Sequence, residues 1–220
     1  MSEDRKVHGV GTLRTMRVHW TLHELGLLYE TVPVESRSGE TQTDEFLRLN
    51  PRGKIPVLTE GDFVLVETGA IAAYLADAHA PGRLIPEAGT RERAVHDQWV
   101  FFTLMELDAT SLYVVRRHGG LPEIYGEAPV AVESSLAYFR RQLEVAEAEF
   151  ADGRTHLSGD DFRVADIHLT TCLDWAQFLR EPLPDRLAAY RERTIARPAY
   201  QAAFAVNFPP EIMQALAASN

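Results

Sequence analysis

The chain has 220 residues, and its hydrophobic content of 45% with 25% charged residues is typical of a globular protein that folds around its own core. Its formal net charge of −10 argues against a nucleic-acid partner, because such binding depends on Lys and Arg neutralising phosphates. The single cysteine excludes an intrachain disulfide and a CxxC motif, and the polar N-terminus without a long apolar run predicts a cytoplasmic protein with no membrane segment.

The first 80 residues alternate between strand-like and helix-like patterns. Strands are predicted from period-2 patterns and turn signals at 6–11, 29–34, 55–59 and 63–66. Helices are predicted from apolar spacings such as Val18, Leu22 and Leu25, at 15–25 with Gly26 ending it, 44–49 and 71–78. The order β-α-β-α-β-β-α indicates a mixed sheet covered by helices.

The rest of the chain is helical in its periodicity after a Pro- and Gly-rich stretch. We therefore expect a first domain at 1–80, a linker at 81–89 and an all-helical domain at 90–220. The helices predicted in this part lie at 91–117, 131–150, 164–179, 185–196 and 198–205.

Two strings carry a family resemblance. GKIPVL contains the Ile55-Pro56 bond, a candidate cis peptide between two strands, and ETGAIAAYLAD opens a helix at Glu67-Thr68. A helix start is a ready site for a carboxylate. At this spacing the strings resemble the glutathione-binding half of the cytosolic glutathione S-transferases. The resemblance implies a thioredoxin-like N-terminal domain followed by a C-terminal helical bundle.

The resemblance also implies how glutathione would be held. The Ile55 backbone would pair with the cysteinyl unit, Glu67 would face the γ-glutamyl ammonium, and Thr68 would take the adjoining carboxylate. Lys54 is a candidate for the glycyl carboxylate, with help from Arg52. The implied glutathione-binding residues are Arg52, Lys54, Ile55, Pro56, Glu67 and Thr68. Alternatively, Arg52 and Lys54 are solvated loop residues and Glu67 is an ordinary acid of a first helical turn.

The turn before the first helix would activate the glutathione sulfur. The segment MRVHWTLHELGL is similar to that of bacterial and plant members, and it aligns Leu13 with their usual catalytic serine. Leucine cannot donate a hydrogen bond, so the catalytic candidates are Thr12, then Arg14, then Thr15. Both threonines could instead only cap the helix.

The acceptor substrate would occupy an apolar pocket between the two domains. Its candidate residues are Leu13, Phe102, Met105, Glu106 and Tyr113, while Trp99 and Phe101 are expected in the core.

A further family-like segment is HLSGDDFRVADIHLTTCLDWA, which resembles the buried central helix of these proteins. Phe162 and Ile167 would form its hydrophobic staple, and Asp166 would be the acidic N3 residue. Arg163 replaces the usual Ser or Thr cap, so Asp166 is expected to bond first-turn amides. Cys172 is expected to be an inert core thiol, and the histidines show no metal-ligand spacing.

The leading functional hypothesis is a glutathione transferase that conjugates the glutathione thiolate to small hydrophobic electrophiles, as in detoxification. Glutathione would be a co-substrate, no metal would be needed, and the family resemblance implies a homodimer. Alternatives are a glutathione-dependent peroxidase, disulfide reductase or isomerase, or a non-catalytic binding or regulatory protein on the same fold.

Overall fold

The computed structural model of the protein describes residues 4–218, with side chains described as far as Gln214. The chain forms two compact units. The first unit runs to Leu84 and resumes at Ile195, and the second runs from Ile85 to Thr194. The C-terminal helices are thus part of the first unit, and the division into 1–80, 81–89 and 90–220 stays a prediction.

The first unit is built on a four-stranded mixed sheet within the described residues. Its strands, in the spatial order β2-β1-β3-β4, are β1 (Arg5–Val10), β2 (Glu30–Glu35), β3 (Val57–Glu60) and β4 (Phe63–Val66). β1 runs parallel to β2 and antiparallel to β3, so that Val7 lies opposite both Thr31 and Leu58. β3 and β4 form the expected hairpin. The predicted mixed sheet and the order of its elements are confirmed.

Three helices of the first unit precede residue 80. They are α1 (Leu13–Leu25), α2 (Asp44–Leu49) and α3 (Thr68–His79), and a short 3₁₀ turn (Glu40–Gln42) leads into α2. Apolar residues of α1 and α3 pack on one face of the sheet, where the buried cluster is Val7, Val18, Leu22, Leu58, Ile71 and Leu75. Gly26 ends α1 in the left-handed conformation at φ 66°, as its position predicted.

The C-terminal part of the first unit comprises α10 (Pro198–Asn207) and α11 (Pro210–Ala218). Of these two helices, α10 packs along α1. Tyr200 meets Trp20 edge-on, with 4.9 Å between ring centroids. Arg197 donates to both oxygens of Glu24, at 2.6 and 2.7 Å. The planar two-point pair fixes the direction of α10 as well as its distance from α1.

The second unit is helical. Its helices are α4 (Arg91–Phe102), α5 (Tyr113–His118), α6 (Pro122–Tyr125), α7 (Pro129–Glu149), α8 (Val164–Phe178) and α9 (Asp185–Ile195). A 3₁₀ turn (Phe150–Asp152) follows α7. Over residues 4–218, no helix combines the length and apolar character that a membrane crossing requires. In the same range, no group of His, Cys, Asp and Glu side chains is arranged to hold a metal ion.

The long helix predicted at 91–117 is wrong in one respect. A π-helical segment, Thr103–Leu112, separates α4 from α5. The Ser111 hydroxyl donates to the Glu106 carbonyl at 2.6 Å, five residues back, which matches the wider turn. Apolar periodicity cannot distinguish this segment from an α-helix.

The expected core position of Phe101 is also wrong. Trp99 is 5% exposed, as predicted, whereas Phe101 is 64% exposed. Two successive steps along a helix turn a side chain by about 200°, so residues 99 and 101 lie on opposite faces.

Candidate functional site

The turn between β1 and α1 is organised as a helix cap. Thr12 is the N-cap residue, with φ −132° and ψ 156°. Its Oγ1 accepts from the Thr15 amide at 3.0 Å, and the Thr15 Oγ1 accepts from the Thr12 amide at 3.1 Å. This reciprocal pair satisfies two donors that a helix start leaves open. Both candidate hydroxyls therefore help to define where α1 begins.

The two hydroxyls differ in what they can offer a ligand. Thr15 is fully buried, and its Oγ1 lies 2.6 Å from Asn207 Oδ1 and 2.7 Å from the Thr12 carbonyl oxygen. Its single proton is committed, because both of those atoms only accept. Thr12 is half-buried, and its Oγ1 lies 3.0 Å from that of Thr15. The geometry favours a capping role for Thr15, and the Thr12 hydroxyl, which donates to Thr15 Oγ1 in this structure, is the one that a ligand could take as its donor.

The other two residues of the turn have different surroundings. Leu13, the first residue of α1, is 7% exposed. Arg14 follows it and is half-buried. The first turn of α1 carries no acidic side chain, so its positive dipole end keeps its attraction for an anion.

The loop after α2 presents backbone rather than side chains. The Ile55-Pro56 peptide bond is cis, as the sequence predicted. Asn50, 3% exposed, donates from Nδ2 to the Lys54 carbonyl at 2.7 Å and accepts the Arg52 amide at 3.2 Å. Across residues 4–218, neither the amide nor the carbonyl of Ile55 takes part in a hydrogen bond. The Asn50 side chain therefore holds the loop in place, and the backbone amide and carbonyl of Ile55 could pair with an extended peptide.

The start of α3 has an unusual backbone. Glu67 precedes the helix at φ 70°, a region that non-glycine residues seldom adopt. Its carboxylate is exposed and forms an ion pair with Arg52. Thr68 is the first residue of α3 and is 7% exposed. A strained residue beside open helix amides is a frequent feature of binding sites.

Gly9 joins the two halves of this site. It lies in a bulge of β1 at φ 131°. A Cβ atom at this position would lie 2.7 Å from Ile55 Cβ and 2.9 Å from Thr15 Cγ2. The cis-proline loop and the Thr12–Thr15 turn therefore meet over Gly9, at a distance that only glycine permits.

His19 supports Gly9 from within α1. The ring donates from Nε2 to the Gly9 carbonyl at 3.0 Å, and its Nδ1 faces the Tyr29 hydroxyl at 2.9 Å. Because a carbonyl only accepts, Nε2 carries the proton and Nδ1 accepts from Tyr29. Burial lowers the pKa of His19 to about 4, so the ring is neutral.

The candidates for the acceptor pocket lie on elements of both units. Leu13 belongs to the first unit, and the other four lie in the second: Phe102, Met105, Glu106 and Tyr113. Met105 is 55% exposed, and Glu106 accepts from the Tyr138 hydroxyl at 2.5 Å. Phe102 packs edge-on against Trp99. Their membership of one pocket stays a prediction.

Three residues that support the site were not predicted from the sequence: Gly9, Asn50 and Asn207. A polar residue before Pro51 and a glycine inside a strand are signals for a turn and for a bulge, and they could have pointed to Asn50 and Gly9. Asn207 had no such signal, because its partners are about 190 residues away.

The fold and site together define a class of protein. It is a thioredoxin-like sheet whose proline loop, helix start and capped turn can hold a peptide-like anion, continued by a helical unit. The family model described as "Glutathione S-transferase, N-terminal domain" matches residues 5–77, and "Glutathione S-transferase, C-terminal domain" matches residues 102–198.

Individual relatives agree with these matches. "Glutathione S-transferase 3" of Zea mays is 33% identical, covering 89% of this chain and 90% of its own. A glutathione transferase structure from Methylococcus capsulatus is 31% identical, with a TM-score of 0.79 over 92% of this chain and 98% of its own. A theta class enzyme from Xanthomonas axonopodis, solved with glutathione bound, is 29% identical, with a TM-score of 0.78 over 90% and 96%. This chain belongs to the glutathione S-transferase family and is a transferase.

Proposed function

We propose that this protein conjugates the thiolate of glutathione, its co-substrate, to an electrophilic carbon of small hydrophobic compounds. One observation carries the proposal. The Ile55 loop and the Thr12 turn meet over Gly9, so a peptide paired with Ile55 would present its side chain to the start of α1. A cysteinyl sulfur placed there would meet a hydroxyl and a positive helix end.

The ends of glutathione would be held at α3 and the preceding loop. The Glu67 carboxylate attracts the γ-glutamyl ammonium, and the Thr68 amide and hydroxyl take the neighbouring carboxylate. The ion pair of Arg52 with Glu67 supports a place for Arg52 near the γ-glutamyl end. Lys54, exposed on the same loop, is then the stronger candidate for the glycyl carboxylate.

Sulfur activation is assigned to Thr12. A free thiol has a pKa of about 8.5, so only a few per cent of it is ionised at neutral pH. A hydrogen bond from the Thr12 hydroxyl stabilises the thiolate more than the thiol and lowers that pKa. Arg14 and the amides at the start of α1 add positive potential to the same region.

The acceptor pocket, the assembly and the cellular role complete the proposal. The acceptor would contact Leu13 and the four candidates of the second unit: Phe102, Met105, Glu106 and Tyr113. The protein would act as a homodimer in the cytoplasm and serve detoxification. The glutathione S-transferase relatives support this cellular role by family analogy.

Calorimetry with glutathione tests the proposal first. We expect the protein to bind glutathione and Glu67→Ala to weaken that binding about tenfold, the loss of one charge-assisted contact. A panel of aryl halides, hydroperoxides and mixed disulfides then separates conjugation from reduction. No binding at millimolar glutathione would overturn the proposal, and turnover of peroxides alone would overturn the conjugation chemistry.

A further inference from the structure

Asn207, the last residue of α10, reaches the turn that contains Thr12. It is fully buried. Its Nδ2 donates to the Thr12 carbonyl at 2.9 Å, and its Oδ1 accepts from the Thr15 hydroxyl at 2.6 Å. Its backbone carbonyl accepts from the Gly11 amide at 2.8 Å. One residue of α10 thus contacts Gly11, Thr12 and Thr15 of the turn.

These contacts determine the direction of each hydrogen bond. The Thr12 carbonyl only accepts, so the amide nitrogen of Asn207 must face it, and Oδ1 must face Thr15. The Thr15 hydroxyl then donates its proton towards Asn207 Oδ1 and the Thr12 carbonyl oxygen. Towards Thr12 Oγ1 it therefore presents a lone pair and can only accept. Thr12 Oγ1 already accepts the Thr15 amide at 3.0 Å. The Thr12 hydroxyl is therefore the donor of the 3.0 Å pair with Thr15 Oγ1, and a thiolate bound beside the turn would replace Thr15 as its acceptor.

The position of Asn207 is set by the rest of α10. The Arg197–Glu24 pair and the Tyr200–Trp20 contact tie the helix to α1 nearer its start. Ile212, just beyond α10, packs against Gly11, where an added Cβ would lie 3.2 Å from Ile212 Cδ1. Asn207 is thus held on both sides, and its amide meets the turn as a preorganised group.

We propose that Asn207 is a positioning residue for the thiol site, which holds Thr12 through its carbonyl and through Thr15, so that the Thr12 hydroxyl lies where it can donate to the glutathione sulfur. The inference rests on the proposed function and goes beyond it, because it assigns part of the reaction to the C-terminal helix. Asn207 itself touches neither substrate.

A double-mutant cycle tests this coupling. We expect Asn207→Ala to raise the pKa of bound glutathione, followed by thiolate absorbance. We also expect it to lower kcat/KM at neutral pH about five- to tenfold, the effect of one hydrogen bond, with the deficit shrinking as the pH rises. The KM for glutathione should stay within twofold, since Ile55, Glu67 and Thr68 are untouched. In a Thr12→Ala background, Asn207→Ala should cause no further loss.

The controls separate positioning from stability. Gln201→Ala removes a side chain of the same helix that bonds the Ile195 carbonyl, away from the turn, and bound glutathione should titrate as in the wild type. Thr15→Val removes the intermediary hydroxyl while keeping its shape, so it should reproduce the Asn207→Ala profile, and Thr15→Ser should restore most of the loss. If Asn207→Ala does not fold, Thr15→Val and Thr15→Ser still test whether the Thr12 hydroxyl is positioned through Thr15.

The possible failures are distinguishable. If the wild type binds and ionises glutathione but Asn207→Ala titrates identically, the positioning role is refuted and the proposed function stands. Equal losses from Asn207→Ala with and without Thr12 would likewise refute it. A wild type that binds no glutathione would refute both.

Discussion

Glu67 combines an unfavourable backbone with a proposed ligand contact. A non-glycine residue at φ 70° costs of order 1–3 kcal/mol, and such strain persists where the surrounding structure or a function holds it. The Glu67 carbonyl accepts the Ile71 amide at 2.9 Å, so this backbone begins α3 while it presents the carboxylate outward. Stability and binding therefore place opposite demands on this position.

Three substitutions at Glu67 separate these demands. Glu67→Gly should be about 1 kcal/mol more stable than Glu67→Ala, because glycine adopts positive φ without a Cβ penalty. Both should raise the KM for glutathione about tenfold, and Glu67→Gln should do so without altering the backbone cost. Urea unfolding and steady-state kinetics measure the two effects. A Glu67→Gly variant less stable than Glu67→Ala would contradict the strain argument.

His19 links stability to pH. Its folded pKa of about 4 lies below the ordinary value of 6.5, so between these values the unfolded chain binds more protons than the folded one. The stabilisation is present above about pH 6.5 and is lost as the pH falls towards 4, by about 3 kcal/mol for this shift.

A pH series of urea unfolding checks this expectation. His19→Gln keeps an amide that can donate to the Gly9 carbonyl, and it should flatten the loss of stability between pH 6.5 and 4. Gln201→Ala, which removes an exposed side chain that does not titrate, serves as the control and should leave the slope as it is. An unchanged slope in His19→Gln would show that other groups carry the pH dependence.

At the scale of elements, α8 shows how a missing cap is replaced. Arg163 occupies the N-cap and cannot accept a hydrogen bond. The fully buried Asp166 accepts from the amides of Arg163 and Leu157, at 2.8 and 3.0 Å, and from the Tyr190 hydroxyl at 2.7 Å. The expected bonds to first-turn amides are corrected here: Asp166 bonds the cap residue and the preceding loop.

A histidine from α4 completes this cap. The Ala165 amide, in the first turn of α8, donates to His96 Nε2 at 3.2 Å. His96 Nδ1 then donates to Asp97, 3.0 Å away, and burial lowers the pKa of the ring. A buried histidine thus serves as part of a helix cap.

Removing the Asp166 carboxylate should destabilise the second unit. Asp166→Ala leaves the amides of Arg163 and Leu157 and the buried Tyr190 hydroxyl without this acceptor, so we expect a loss of about 3 kcal/mol in the free energy of unfolding. Asp160→Ala, an exposed acid of the same loop, should stay within about 0.5 kcal/mol. Equal effects of the two substitutions in urea unfolding would contradict the assigned role.

At the scale of the whole molecule, the edge of the sheet bears on assembly. β4 is an edge strand, and its Phe63 and Val64 are 42% and 40% exposed. An exposed apolar sheet edge favours contact with another chain, which a second copy would supply in the proposed homodimer.

Sedimentation at micromolar concentration checks the proposed dimer. We expect about twice the chain mass of 24.7 kDa for the wild type and a shift towards the monomer for Val64→Glu. Leu28→Glu, at an apolar residue 88% exposed in the loop before β2, is the matched control and should remain dimeric. A monomeric wild type would contradict the homodimer, and a dimeric Val64→Glu would place the interface elsewhere.

Sequence alone determined the local parts of this protein. The strand and helix order, the Gly26 cap, the cis bond at Ile55-Pro56 and the helix start at Glu67-Thr68 all follow from neighbours within a few residues. Short-range patterns suffice there because hydrogen bonding and side-chain sterics act over one or two turns.

Only the tertiary structure shows how these local elements come together in the site. The meeting of the cis-proline loop with the Thr12 turn over Gly9, and the commitment of Thr15 to Asn207, depend on contacts between segments far apart in the chain. The direction of the Thr12 hydrogen bond is settled by an amide held at the end of α10. No local pattern encodes that pairing, because packing brings these residues together only after the sheet and α1 have formed the surface on which α10 lies.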